Sequence, residues 1–167
     1  MFALGPRQTL DAARMGNKIS PRIWIDAAIT HYESVNGSWQ LPVSEIRVIG
    51  EHTNDHGPYG DDYFFVFLTD SYLYEASFYA EGRDQFLADL SHLLEVKISC
   101  GLVNSTDFQS RVMWPPDIEG QPFYNFVTVP KSEGFLAGVK HKLFPSVAYH
   151  LADSVRSKVA FGAEGRI

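Results

Sequence analysis

The densest apolar patterning runs from Ser44 to Val96, where three strand-like segments, SEIRVIGEHT, DDYFFVFLTD and SYLYEASFYA, precede the helix-like GRDQFLADLSHLLEV. Every position from Tyr63 to Leu68 in the middle segment is aromatic or aliphatic. A strand that is apolar on both faces has to be covered on both, so this segment is the expected centre of a sheet. Before it, Ile46 and Val48 alternate with Glu45 and Arg47, the pattern of a strand with one wet face. Gly50 within that run suggests a bulge or a close backbone approach. The turn-rich NDHGPYGD joins these two strands as a hairpin, and the short Thr69-Asp70-Ser71 makes the next pair antiparallel. Phe86, Leu87, Leu90, Leu93 and Leu94 then form a core-facing stripe on a helix over 83–96.

On the N-terminal side, Ser20 suits a helix N-cap and Pro21 the first helical position. Ile25, Ala28, Ile29 and Tyr32 follow at helical spacing, and Asn36-Gly37 supplies the stop, which together predict a helix over 20–36. Two more strands are expected over 109–114 and 122–129, separated by PPDIEGQ. KSEGFLAGVKHKLF reads as a broken helix or a loop. From Pro145 or Ser146, the residues Val147, Leu151, Val155 and Val159 share one face of a terminal helix.

The resulting order is helix, three strands, helix, two strands, helix. It predicts an α+β fold, an antiparallel sheet of about five strands with helices packed on it. A single domain over 20–167 would follow a mobile lead-in over 1–19. This order is similar to that of the small acidic type III secretion chaperones, homodimers that hold an unfolded segment of another protein. The resemblance implies a homodimer that binds a protein segment. The doubly apolar strand points the same way, because with few helices its second face needs either the terminal helix or a second copy as cover.

Composition narrows the partners. At 167 residues and 45% hydrophobic content the chain suffices for one domain with a sizeable core. Lys and Arg number 14 against 20 Asp and Glu, a net charge of −6 with no basic block, which argues against nucleic acid as a partner. The lone Cys100 excludes an internal disulfide and agrees with a reducing compartment. No run has the length of a signal segment or a membrane span, so a cytoplasmic protein with no membrane partner is expected. GxGxxG, GxxxxGK[ST] and GxSxG are all absent, and no cofactor is expected.

One stretch carries candidate chemistry. Glu51, His52, Asp55, His56, Asp61 and Asp62 fall within twelve residues, and such oxygen and imidazole donors could hold a divalent metal or form an acid/base pair if a loop converged them. The same residues also suit a solvated hairpin loop with Asx-type turns. Arg111 and Trp114 are candidates for the wall of a groove, Arg111 by stacking on an aromatic ring or by holding a carboxylate. The expectation is a non-catalytic binding protein that recognises a protein segment or an apolar small ligand through a sheet face or groove. The alternative is a metal-assisted hydrolase or acid/base enzyme centred on the His52 to Asp62 loop.

Overall fold

The computed structural model describes residues 3–4, 20–55, 57, 60–128 and 147–159. Along the described chain the strands are β1 (Ala3–Leu4), β2 (Arg22–Asp26), β3 (Ile29–Ser34), β4 (Gly37–Pro42), β5 (Val48–Thr53), β6 (Tyr63–Leu68) and β7 (Tyr72–Ser77). Helix α1 (Arg83–Leu93) comes next, then β8 (Ser110–Trp114), β9 (Tyr124–Thr128), β10 (Val147–Leu151) and the single-turn α2 (Asp153–Arg156). The strands form three sheets. The central one runs β7-β6-β5-β8, antiparallel throughout, and β1 extends it with a parallel pairing of Ala3 and Leu4 to Tyr72 and Leu73. β2-β3-β4 is a separate antiparallel meander and β9-β10 a two-stranded ribbon.

β6 sits inside the central sheet, as its pattern requires. Tyr63, Phe65 and Phe67 face a first core closed by Ile23, Tyr32, Trp39 and Leu41 of the meander and by Phe86 and Leu90 of α1. Val66 and Leu68 face a second core closed by Phe123, Tyr124, Leu151, Val155 and Val159. One chain therefore supplies both covers, and the central sheet needs no second copy. The edge of β7 is closed by aromatic side chains of the meander: Trp39 Nε1–H donates to the Glu75 carbonyl at 3.0 Å, and the Ser77 N–H donates to the Tyr32 hydroxyl at 3.2 Å. These bonds occupy backbone groups that a bare edge strand would offer to another chain.

The α+β expectation is overturned, because the described chain is mostly β and α1 is its one helix longer than a single turn. The helix expected over 20–36 is instead the first hairpin of the meander and the connection to its third strand. Ala27 and Ala28 turn that hairpin at φ 47° and 61°, a left-handed conformation that carries no Asn-Gly signature here. Ile25, Ala28, Ile29 and Tyr32 matched a helical face by accident of spacing, while the alternation of buried Thr30, Tyr32 and Ser34 is that of a strand. The expected terminal helix is β10 followed by α2, broken by extended backbone at Ala152, with φ −63° and ψ 152°. With the helices at both ends gone, the element order behind the secretion-chaperone resemblance is not that of this fold.

The run before β6 also differs. A 3-10 turn takes Val43–Glu45, and β5 begins at Val48 with all of its residues buried, so it has no wet face. Gly50 does mark both a bulge and a close approach: the β5–β8 register shifts between Ile49 and Gly50, and a Cβ on Gly50 would lie 2.1 Å from Phe123 Cδ2. Helix α1 and the strands at 110–114 and 124–128 follow the sequence pattern, although Leu93, expected on the core-facing stripe of α1, is exposed; β8 joins the central sheet while β9 pairs with β10. The segment KSEGFLAGVKHKLF lies outside the described residues. Among the described residues no helix is long and apolar enough to cross a membrane.

Leu151, 4% exposed, is the residue through which β10 enters the second core. Leu151→Asp puts an unpaired charge there and is expected to cost several kcal/mol, on the order of 3–5. Urea denaturation followed by tryptophan fluorescence measures it, and an unchanged midpoint would mean that the ribbon does not close this core.

Candidate functional site

Successive residues of a strand point to opposite faces, so β5 sends Glu51 and His52 into different cores. Glu51 is fully buried on the first side. Its Oε1 accepts from Arg111 Nη1 and from the Gly101 N–H, each at 2.8 Å, and its Oε2 accepts from the Tyr63 hydroxyl. Arg111 also donates to the Ser99 carbonyl at 3.2 Å and pairs with Glu119 at 3.3 Å. A carboxylate in an apolar interior is tolerated only when so paired, and this pairing ties the long connection between α1 and β8 onto the sheet. Cys100 packs beside it, and burial followed by the Glu51 charge pushes its thiol pKa up, away from the reactive thiolate. The cluster is a structural clamp.

On the other side His52 lies flat on Phe64, with ring centroids 5.2 Å apart and 20° between planes, and its Nε2 meets Glu75 Oε2 at 2.9 Å. β6 separates the two residues. The pair reaches across it because Gly50 and Val66 fill the row opposite Glu75 without polar competition. Tyr124 of β9 stands edge-on to His52 at 5.5 Å, and Tyr149 of β10 packs on Tyr124 at 4.8 Å and on Phe126 at 6.4 Å. Exposure rises along the inner face of the ribbon. Tyr124 is 5% exposed at its closed end, and Tyr149, two cross-strand pairs further along, is 52% exposed. The Glu75 side chain is 33% exposed at the floor of this mouth. Burial, then the nearby Glu75 charge, raises the pKa of both Tyr124 and Tyr149, which keeps their hydroxyls protonated donors.

Of the six polar residues singled out from the sequence, the five that are described do not converge. Glu51 and His52 diverge as described, Asp55 and Asp61 are exposed, Asp62 accepts a hydrogen bond from Tyr79 at 2.6 Å, and His56 lies outside the described residues. Among the described residues no three His, Cys, Asp or Glu side chains are grouped so as to hold a metal ion. Arg111 holds a carboxylate, that of Glu51, and Trp114 packs against the first core. Sequence reasoning missed Glu75 and Tyr149. Glu75 is the one acidic residue in the strand YLYEAS, a signal that was available, whereas Tyr149 was concealed by the helical reading of its segment.

Fold and site together define a mostly β, three-sheet protein with an imidazole–carboxylate pair at an aromatic mouth. No known family model matches the chain, and neither a curated protein nor a solved structure does.

Arg111→Ala would leave Glu51 buried without its cation. Breaking such a pair is expected to cost about 3 kcal/mol, moderated by the 22% exposure of Arg111, while Arg47→Ala at the exposed Arg47–Asp70 pair should leave urea denaturation unchanged. Equal effects would show that the clamp contributes nothing. A second expectation concerns alkali. Burial, joined for Tyr63 by its bond to Glu51, raises the Tyr63 and Tyr124 pKa values, and the hydrogen bond to Asp62 pushes Tyr79 up to about 12. A raised folded-state value gives a contribution that is complete below the unfolded pKa of about 10 and is lost as pH rises beyond it. Stability should therefore fall above about pH 10. An ultraviolet titration should show Tyr63 and Tyr124, which are buried, ionising only as the chain unfolds, and their ionisation without unfolding would contradict that burial.

Proposed function

We propose that the protein is a non-catalytic binding protein that takes a protein segment at the aromatic mouth between the central sheet and the β9–β10 ribbon. The observation that carries this reading is the gradient along the ribbon's inner face. Rings of one continuous cluster pass from the closed core at Tyr124 to the half-exposed Tyr149, beside the partly exposed Glu75. Rigid aromatic surface around a few polar groups is what recognition sites offer, because it contributes contact area at small cost in side-chain entropy and the polar groups set orientation. The metal-assisted hydrolase alternative is not carried forward, since among the described residues no three His, Cys, Asp or Glu side chains group together.

Panning a phage-displayed random peptide library tests the reading. The wild-type chain is expected to enrich a sequence family that binds Tyr149→Ser at least tenfold more weakly. Tyr149 is exposed enough that the substitution should leave stability within about 0.5 kcal/mol. No enriched family, or one that Tyr149→Ser retains equally well, would overturn it.

A further inference from the structure

Among the described residues, Glu75 is the charged group of the aromatic mouth that is open to a ligand, and its surroundings set the sign of what it can take. Glu75 uses Oε2 for His52, which leaves Oε1 without a donor among the described residues. The nearby arginines whose partners are defined are committed elsewhere: Arg111 to Glu51 on the opposite face, Arg47 to Asp70, and Arg83 to Asp84 and the Phe78 ring. The exposed ring beside Glu75 is that of Tyr149, whose face carries negative potential, while Phe64 lies under His52 and Tyr124 is buried. A partly desolvated carboxylate beside an exposed ring face attracts a cation twice over, through the ion pair and through cation–π contact, and repels an anion by the same fields. The chain's net charge of −6 adds long-range attraction of the same sign.

We propose that the residue held at this mouth is an arginine side chain of the bound segment, its guanidinium stacked on Tyr149 and hydrogen-bonded to Glu75 Oε1. This rests on the binding-site reading above and adds the chemistry of the ligand. Arginine fits better than lysine because a planar guanidinium can stack on a ring and donate in its own plane at once, and because it is less strongly hydrated. A single open carboxylate oxygen calls for one end-on bond.

The test is a nuclear magnetic resonance titration of the full chain with two blocked tripeptides, Gly-Arg-Gly and Gly-Leu-Gly. The amides of His52, Phe64, Glu75, Tyr124 and Tyr149 serve as reporters. Gly-Arg-Gly should shift them saturably with an affinity in the millimolar range, as a single anchor allows. Glu75→Gln should weaken it about tenfold, and Gly-Leu-Gly should bind at least tenfold more weakly than Gly-Arg-Gly. Should Glu75→Gln disturb folding, Tyr149→Leu replaces it: apolar area is kept and the ring face lost, with an expected loss of about threefold or more. If Gly-Leu-Gly shifts these reporters as strongly as Gly-Arg-Gly, or if neither substitution weakens Gly-Arg-Gly, the site stands and the arginine assignment is wrong. If neither peptide moves them, the binding-site reading falls with it.

Discussion

β6 can present neither face to water, and most of the architecture follows from that. Six consecutive aromatic or aliphatic residues put Tyr63, Phe65 and Phe67 on one side and Val66 and Leu68 on the other, all buried. A sheet built on such a strand needs two covers, and the described residues, with one helix longer than a single turn, make them mainly from other sheets. The meander and α1 form the first cover. The ribbon, α2 and the Pro116–Ile118 turn form the second. Among the described residues, the three-sheet arrangement follows from a doubly apolar strand that one helix alone cannot cover on both faces.

The polar residues of β5 take their meaning from that same geometry. Because both faces of the central sheet are closed, a charged residue on β5 enters a core whichever way it points, and each one needs a partner there. Glu51 finds Arg111, Tyr63 and the Gly101 amide, which converts a long connection into a fastened one. His52 finds Glu75, whose side chain stays one-third exposed, so that pair remains within reach of solvent. Two adjacent residues thus have different fates: one stabilises, the other stands at the mouth where recognition is proposed. The bulge at Gly50 belongs to the same design, since the missing side chain makes room for Phe123 beneath the ribbon.

The local pattern alone determined the centre of the fold: β6, its antiparallel neighbours β5 and β7, the helix α1 and the close approach at Gly50 were all legible. In those places a strong hydrophobic period agreed with explicit turn chemistry. The meander was not legible, because its first turn uses Ala27 and Ala28 in a left-handed conformation for which their side chains carry no preference; tertiary packing of Trp39 and Tyr32 against the central sheet holds it. The ribbon was not legible either. Val147, Leu151, Val155 and Val159 satisfy a helical period, and only pairing with β9 selects the strand. Of the candidate site, the sequence marked His52 only as one of six metal-ligand or acid/base candidates, and Glu75 and Tyr149 lie 23 and 97 positions away along the chain. Strand order decides which distant side chains meet, and strand order is a global property that no window of sequence contains.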